Sequence, residues 1–204
     1  MQEWWGIDDE IQLHAAHIAA QGYRVLVPDL YRGKLGVEAE EAHHLMDNLD
    51  WGGAVEDIRG AALQLRSEGS SKVGIIGFCM GGALSLAGAV LVEEIDAAAP
   101  FYGTPNPALA DVSKCKTPVC GHYGGKDPMK GFSSPEDAKK LDEALTEAGC
   151  EHEVFVYDTV GHAFMNSSPE GIERKKKNGQ GEHDQKAVDL AWERVFAFFE
   201  KHIK

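Results

Sequence analysis

The sequence predicts an α/β protein: a mostly parallel, doubly wound sheet flanked by helices. Two observations carry this. Short apolar, β-branched runs alternate with segments of helical period along the whole chain, and parallel strands require such crossovers. One of those runs also passes through a glycine-bounded turn directly into a helix, the junction typical of open parallel sheets. The 204 residues contain no internal repeat and no long linker, and 43% are hydrophobic against 26% charged. We therefore expect one globular domain spanning 1–204.

The elements follow in order. Ile7, Ile11, Ala15, Ile18 and Ala19 share one helical face between Ile7 and Gln21, and Gly22 stops that helix. Tyr23–Pro28 is a short β-branched run closed by Pro28-Asp29, hence a strand. A polar loop around Arg32-Gly33-Lys34 leads to a second long helix, in which Trp51, Val55, Ile58, Ala62 and Leu65 recur at helical spacing up to Gly69. Lys72–Phe78 reads as a strand and Met80–Leu91 as a helix opened by two glycines. Three more buried-type strands follow at Ala97–Tyr102, Pro118–Tyr123 and Glu153–Tyr157. Between the last two, Ser134–Ala148 is a helix begun by a capping box, Ser134 with Asp137, and by Pro135. Arg174-Lys175-Lys176-Lys177 and the glycine-rich stretch after it read as a solvated loop, and His183–Lys201 as an amphipathic closing helix.

Charge and cysteine content narrow the function. A formal net charge of -13 sets a repulsive field against nucleic acid and anionic membranes, so neither is expected as a partner. The longest apolar stretch, around Gly82–Val92, is far too short to span a bilayer, and no basic-then-apolar signal opens the chain. Four cysteines without paired zinc spacing fit a reducing, cytoplasmic compartment. Cys115, Cys120 and His122 are conceivable metal ligands, but Cys120 and His122 fall inside a buried strand, which favours packing; no metal and no cofactor are expected.

The chemistry concentrates in Val73 to Gly82, an apolar strand running into Gly77-Phe78-Cys79-Met80-Gly81 and then a helix. Flanking glycines let the backbone turn tightly enough to project the central side chain, and the helix N-terminus behind it favours negative charge. A thiol held there is a candidate nucleophile, Cys79, although most free cysteines are merely small buried residues. An acid and then a histidine should follow in the chain. Asp127, in Gly124-Gly125-Lys126-Asp127-Pro128, and His162, in Gly161-His162-Ala163-Phe164, each lie just past a predicted strand end. His122 is the rival base, but its place within the strand that delivers Asp127 marks it as a packing residue.

With these residues in hand, the chain resembles the dienelactone hydrolase (carboxymethylenebutenolidase) family of the α/β-hydrolase superfamily. The resemblance runs in order through Gln2-Glu3-Trp4-Trp5-Gly6, Pro28 to Gly33, Gly77 to Gly82, Pro100 to Gly103, Gly125-Lys126-Asp127 and Gly161 to Phe164. It implies an α/β-hydrolase fold and a Cys79–His162–Asp127 triad. It further implies that Glu3 contacts the thiol and helps ionise it when substrate binds, and that the backbone N–H groups of Trp4 and Met80 form an oxyanion hole. Two departures stand out. The chain starts where the family already has its first strands, so an amino-terminally shortened form with an open sheet edge, monomeric or dimeric, is expected. Family members that take dienelactone hold its carboxylate with arginines, one just beyond the catalytic histidine, where this chain has Met165-Asn166. Arg32 is the nearest basic candidate, with Tyr102, Phe164 and Asn166 as further substrate contacts.

The reading is a hydrolase of a small-molecule ester or lactone working through covalent cysteine catalysis. A thioesterase or acyl-transfer enzyme on the same triad, and a non-catalytic ligand-binding protein retaining the hydrolase shell, are the alternatives.

Overall fold

The computed structural model describes residues 1–204. The elements are α1 (Asp9–Ala20), α2 (Ala39–Asp47), α3 (Trp51–Ser67), β1 (Gly74–Phe78), α4 (Met80–Leu91), β2 (Ala97–Phe101), β3 (Val119–Gly124), α5 (Pro135–Glu147), β4 (His152–Tyr157), α6 (Pro169–Lys177) and α7 (Gln185–Ile203). The four strands form one parallel sheet in the order β1-β2-β3-β4.

Side chains of a strand alternate between faces, so one short strand can serve two cores. In β2, Ala98 belongs to one core together with Leu84 of α4 and Leu141 of α5, whereas Ala97 and Ala99 belong to a second core with Trp192 and Phe199 of α7 and Ile11 of α1. α3, α4 and α5 therefore cover one face, and α1 and α7 the other. The alanines are a packing requirement: α4 and α7 both approach β2 closely, and larger residues would push a helix away.

Register lines up Phe78, Phe101, His122 and Phe155 in a row across all four strands. His122 stacks on Phe101 at 4.4 Å between ring centroids, and its Nδ1 lies 2.9 Å from the Tyr157 hydroxyl. Burial lowers this imidazole to about 3, so it is a neutral packing group.

Helix ends match their chemistry. Asp8, Asp50, Ser134, Ser168 and Asp184 each accept a backbone N–H at a helix start, and the Ser134–Asp137 capping box is complete.

Three expectations need correction. Tyr23–Pro28 is in no β-ladder and makes no backbone–backbone hydrogen bond. Its β-branched composition suits a strand, but no neighbouring strand lies beside it to pair with. The basic stretch expected as a solvated loop is the last turn of α6, where Arg174 to Lys177 complement the carbonyl end of the helix. Arg174 lies over the Trp5 ring at 4.3 Å and pairs with Asp8, and Lys175 is buried. Finally, α2 buries only Ala42, too little apolar surface to leave a helical period in the sequence.

The turn after β1 depends on a missing side chain. A Cβ on Gly77 would lie 2.1 Å from the Gly81 carbonyl oxygen and 2.4 Å from Ser85 Oγ. Gly60, in α3, faces open space. Gly77→Ala should therefore lower stability in urea denaturation by about 3 kcal/mol, whereas Gly60→Ala should be neutral or raise it by up to about 1 kcal/mol.

Candidate active site

Three strand ends deliver three side chains to one point. Cys79 follows β1 with φ 55° and ψ −116°, a left-handed backbone that a non-glycine residue adopts only when its surroundings impose it. Its N–H donates to the Phe101 carbonyl at 3.1 Å, and its carbonyl accepts from Gly82 and Ala83 in the first turn of α4. The backbone is thus satisfied while Sγ projects from the sheet edge. Asp127 follows β3, and the Met129 N–H donates to its Oδ1 at 3.0 Å, fixing the carboxylate. His162 follows β4.

His162 Nδ1 lies 2.7 Å from Asp127 Oδ2, and His162 Nε2 lies 3.2 Å from Cys79 Sγ. All three residues are buried. Burial opposes charge on the imidazole, but negative charge at Cys79 and the hydrogen bond and charge of Asp127 outweigh it, raising His162 to about 10. Asp127 therefore orients the ring and favours its protonated form. Ser133 Oγ lies 3.2 Å from the same Nδ1. Sequence reasoning missed Ser133, because Ser133-Ser134-Pro135 reads fully as a helix start.

Glu3 is buried beside this cluster. Its Oε1 accepts from the Tyr102 hydroxyl at 3.2 Å and its Oε2 from Asn166 Nδ2 at 3.1 Å. Burial raises its carboxyl to about 7, the Asn166 hydrogen bond acting against that rise. The carboxylate's hydrogen bonds go to Tyr102 and Asn166 rather than to the thiol. Tyr102 also packs edge-on against His162 at 5.1 Å and against Phe164 at 5.5 Å. The expected contacts Tyr102, Phe164 and Asn166 thus belong to the cluster.

The backbone N–H groups of Trp4 and Met80 have no acceptor within the protein, as an anion-binding role would require. Met80 N–H opens α4, where the helix dipole adds to it. The Met80 side chain lies away from this role, its sulfur accepting from the Tyr31 hydroxyl. Arg32 stands apart. Its guanidinium is exposed and held by both Asp57 oxygens, at 2.9 and 2.7 Å, and by the Asp29 carbonyl at 2.8 Å.

The raised Glu3 carboxyl has a stability consequence. A group whose folded value lies above its ordinary 4.5 stabilises fully below that value and loses the contribution as pH rises through about 7. Between pH 4.5 and 8 the protein should therefore lose on the order of 3 kcal/mol relative to Glu3→Gln, measured by chemical denaturation of both at each pH.

Comparison with known proteins identifies the family. The Dienelactone hydrolase family profile matches residues 1–203. The carboxymethylenebutenolidase of Pseudomonas putida is 28% identical over 182 residues, covering 83% of this chain and 75% of its own. Protein usf of Aquifex pyrophilus is 28% identical over 213 residues, covering 100% of this chain and 87% of its own. The crystal structure of a dienelactone hydrolase-like promiscuous phosphotriesterase from metagenomic libraries superposes with a TM-score of 0.84 at 21% identity, over 100% of this chain and 84% of that one. With a parallel sheet covered by helices on both faces and a match over nearly its full length, the chain belongs to the dienelactone hydrolase family and has the α/β-hydrolase fold.

Proposed function

We propose that this hydrolase cleaves a small carboxylic ester or lactone through a thioester on Cys79. The observation that supports the reading is the unbroken relay from Asp127 through His162 to Cys79, with separations of 2.7 and 3.2 Å. Cys79 Sγ, as thiolate beside the His162 imidazolium, attacks the carbonyl carbon. The electron pair moves onto the carbonyl oxygen, which the Trp4 and Met80 N–H groups receive. The intermediate collapses by breaking the carbon–oxygen bond, and the departing alkoxide takes the Nε2 proton of His162. A lactone would keep its alcohol attached through the acyl chain. Neutral His162 then takes a proton from water, the hydroxide attacks the thioester, and the acid leaves with Cys79 restored as thiolate.

Glu3 and Tyr102 form the polar wall beside the reacting sulfur, and Phe164 with Asn166 completes it. A carboxyl that ionises near neutrality adds negative charge there as pH rises through about 7. An anionic substrate would meet that charge without a neighbouring free arginine, because Arg32 is committed to Asp57. Neutral esters and lactones suit this wall better than carboxylate-bearing ones.

Turnover of a neutral aryl ester, a lactone and an acyl thioester should be compared for the parent protein and two variants. Cys79→Ala should lower kcat/KM for the preferred substrate by at least about a thousandfold, and Asp127→Asn by a smaller factor. Undiminished hydrolysis by Cys79→Ala would contradict the nucleophile. Preference for the thioester would reassign the substrate class on the same residues, and absence of turnover with all three by folded protein would favour a binding role.

A further inference from the structure

Ser133 brings to the reacting histidine a hydroxyl that the proposed chemistry leaves without a role. The residue is fully buried, and its Oγ has one hydrogen-bond contact, His162 Nδ1 at 3.2 Å. A hydroxyl removed from water is unfavourable unless it is hydrogen-bonded, and alanine would occupy the same place without that cost. Serine here therefore acts through its oxygen rather than through its bulk.

The backbone around Ser133 holds that oxygen beside Asp127. The Met129 N–H donates to Asp127 Oδ1, and the Met129 carbonyl accepts from the Ser133 N–H at 2.9 Å and the Ser134 N–H at 3.1 Å. One residue thus fixes carboxylate and serine relative to each other. Asp137, the buried acid of the capping box, adds a second clamp. Its Oδ2 accepts from the Gly131 N–H at 2.8 Å and from the Phe132 and Ser134 N–H groups, each at 3.1 Å. The Phe132 carbonyl in turn accepts from the Thr104 N–H at 2.9 Å and the Thr104 hydroxyl at 2.6 Å, which ties the turn to the segment after β2. The start of α5 is therefore a rigid platform under the His162 ring.

The Asp127 carboxylate, 2.7 Å from Nδ1, can only accept, so Nδ1 carries a proton and Ser133 Oγ is its second acceptor. The geometry points to Ser133 as a positioning residue of the triad: it shares the Nδ1 proton with Asp127, keeps that proton on Nδ1, and so leaves Nε2 as the nitrogen that exchanges protons with Cys79 and substrate. The inference rests on His162 being the base of the proposed reaction. Once the departing alkoxide has taken the Nε2 proton, a neutral imidazole can carry its remaining proton on either nitrogen. Two acceptors at Nδ1 select the tautomer whose Nε2 is free to take a proton from water. They also orient the ring, which a single acceptor would leave free to pivot about one hydrogen bond.

Two measurements on the full chain test this. In protein labelled with nitrogen-15 histidine and free of substrate, magnetic resonance reads the Nδ1-bound proton of His162, assigned by its loss in His162→Gln. Ser133→Ala should make that proton exchange with water at least about tenfold faster, the effect of losing one hydrogen bond. A neutral aryl ester then supplies a double-mutant cycle. Ser133→Ala alone should lower kcat/KM about fivefold, because Asp127 still holds the ring. Beside Asp127→Ala, where Ser133 is the remaining acceptor, the same change should cost at least about fiftyfold. Unchanged proton exchange in Ser133→Ala would overturn the assignment, and so would an equal cost in both backgrounds, which is what a packing role predicts. Should Asp127→Ala not fold, the proton exchange decides alone. That measurement needs no turnover, so undiminished hydrolysis by Cys79→Ala would refute the nucleophile without deciding the place of the His162 proton.

Discussion

The close approach of α4 to the sheet is the constraint on which the site depends. With only a hydrogen at Gly77, the Gly81 carbonyl and Ser85 hydroxyl come within reach of β1, and the chain must reverse in the space of Cys79. The resulting φ of 55° is held by the Cys79 N–H bond to Phe101 and by two bonds to its carbonyl. Tyr102 and Ala163, which follow β2 and precede Phe164, also have positive φ, so unfavourable backbone collects around one point. Packing of two large cores on opposite faces of a four-stranded sheet holds that strain in place.

The first six residues tie this point to the rest of the molecule. Met1 lies on the β1 edge, the Gln2 side chain accepts from Leu30 N–H, Glu3 joins Tyr102 to Asn166, and Trp5 lies under Arg174. This short segment is largely buried and contacts both sheet and helices. Through Glu3 its packing reaches the electrostatics of the reacting cluster, since a carboxyl near neutrality lies beside a strongly protonated imidazole.

What the sequence made legible follows from locality. The Cys79 turn, the Ser134 cap and the alternating elements are short-range features whose residues dictate their own backbone. Asp127 and His162 were found because chain order and strand ends constrain where partners can stand. Tyr23–Pro28 has strand composition, but a ladder requires a neighbour, and composition cannot supply one. α6 was hidden because its basic last turn looks solvated, although Ser168-Pro169 is a helix start. The Glu3 hydrogen bonds to Tyr102 and Asn166 span 99 and 163 residues, and the Ser133 contact with His162 arises from tertiary packing alone. Arg32 illustrates the converse: a residue suited to grip a carboxylate is held by one of the protein's own, Asp57.

The central claim is that Cys79 becomes covalently acylated. Rapid acid quench of the protein with an aryl ester, followed by intact and peptide mass measurement, reads this directly. The account predicts one acyl group per chain, on the peptide containing Cys79, appearing before steady-state turnover and absent from Cys79→Ala. Product formation in a burst-free reaction, with no adduct on Cys79 and an acyl group on another residue, would contradict it.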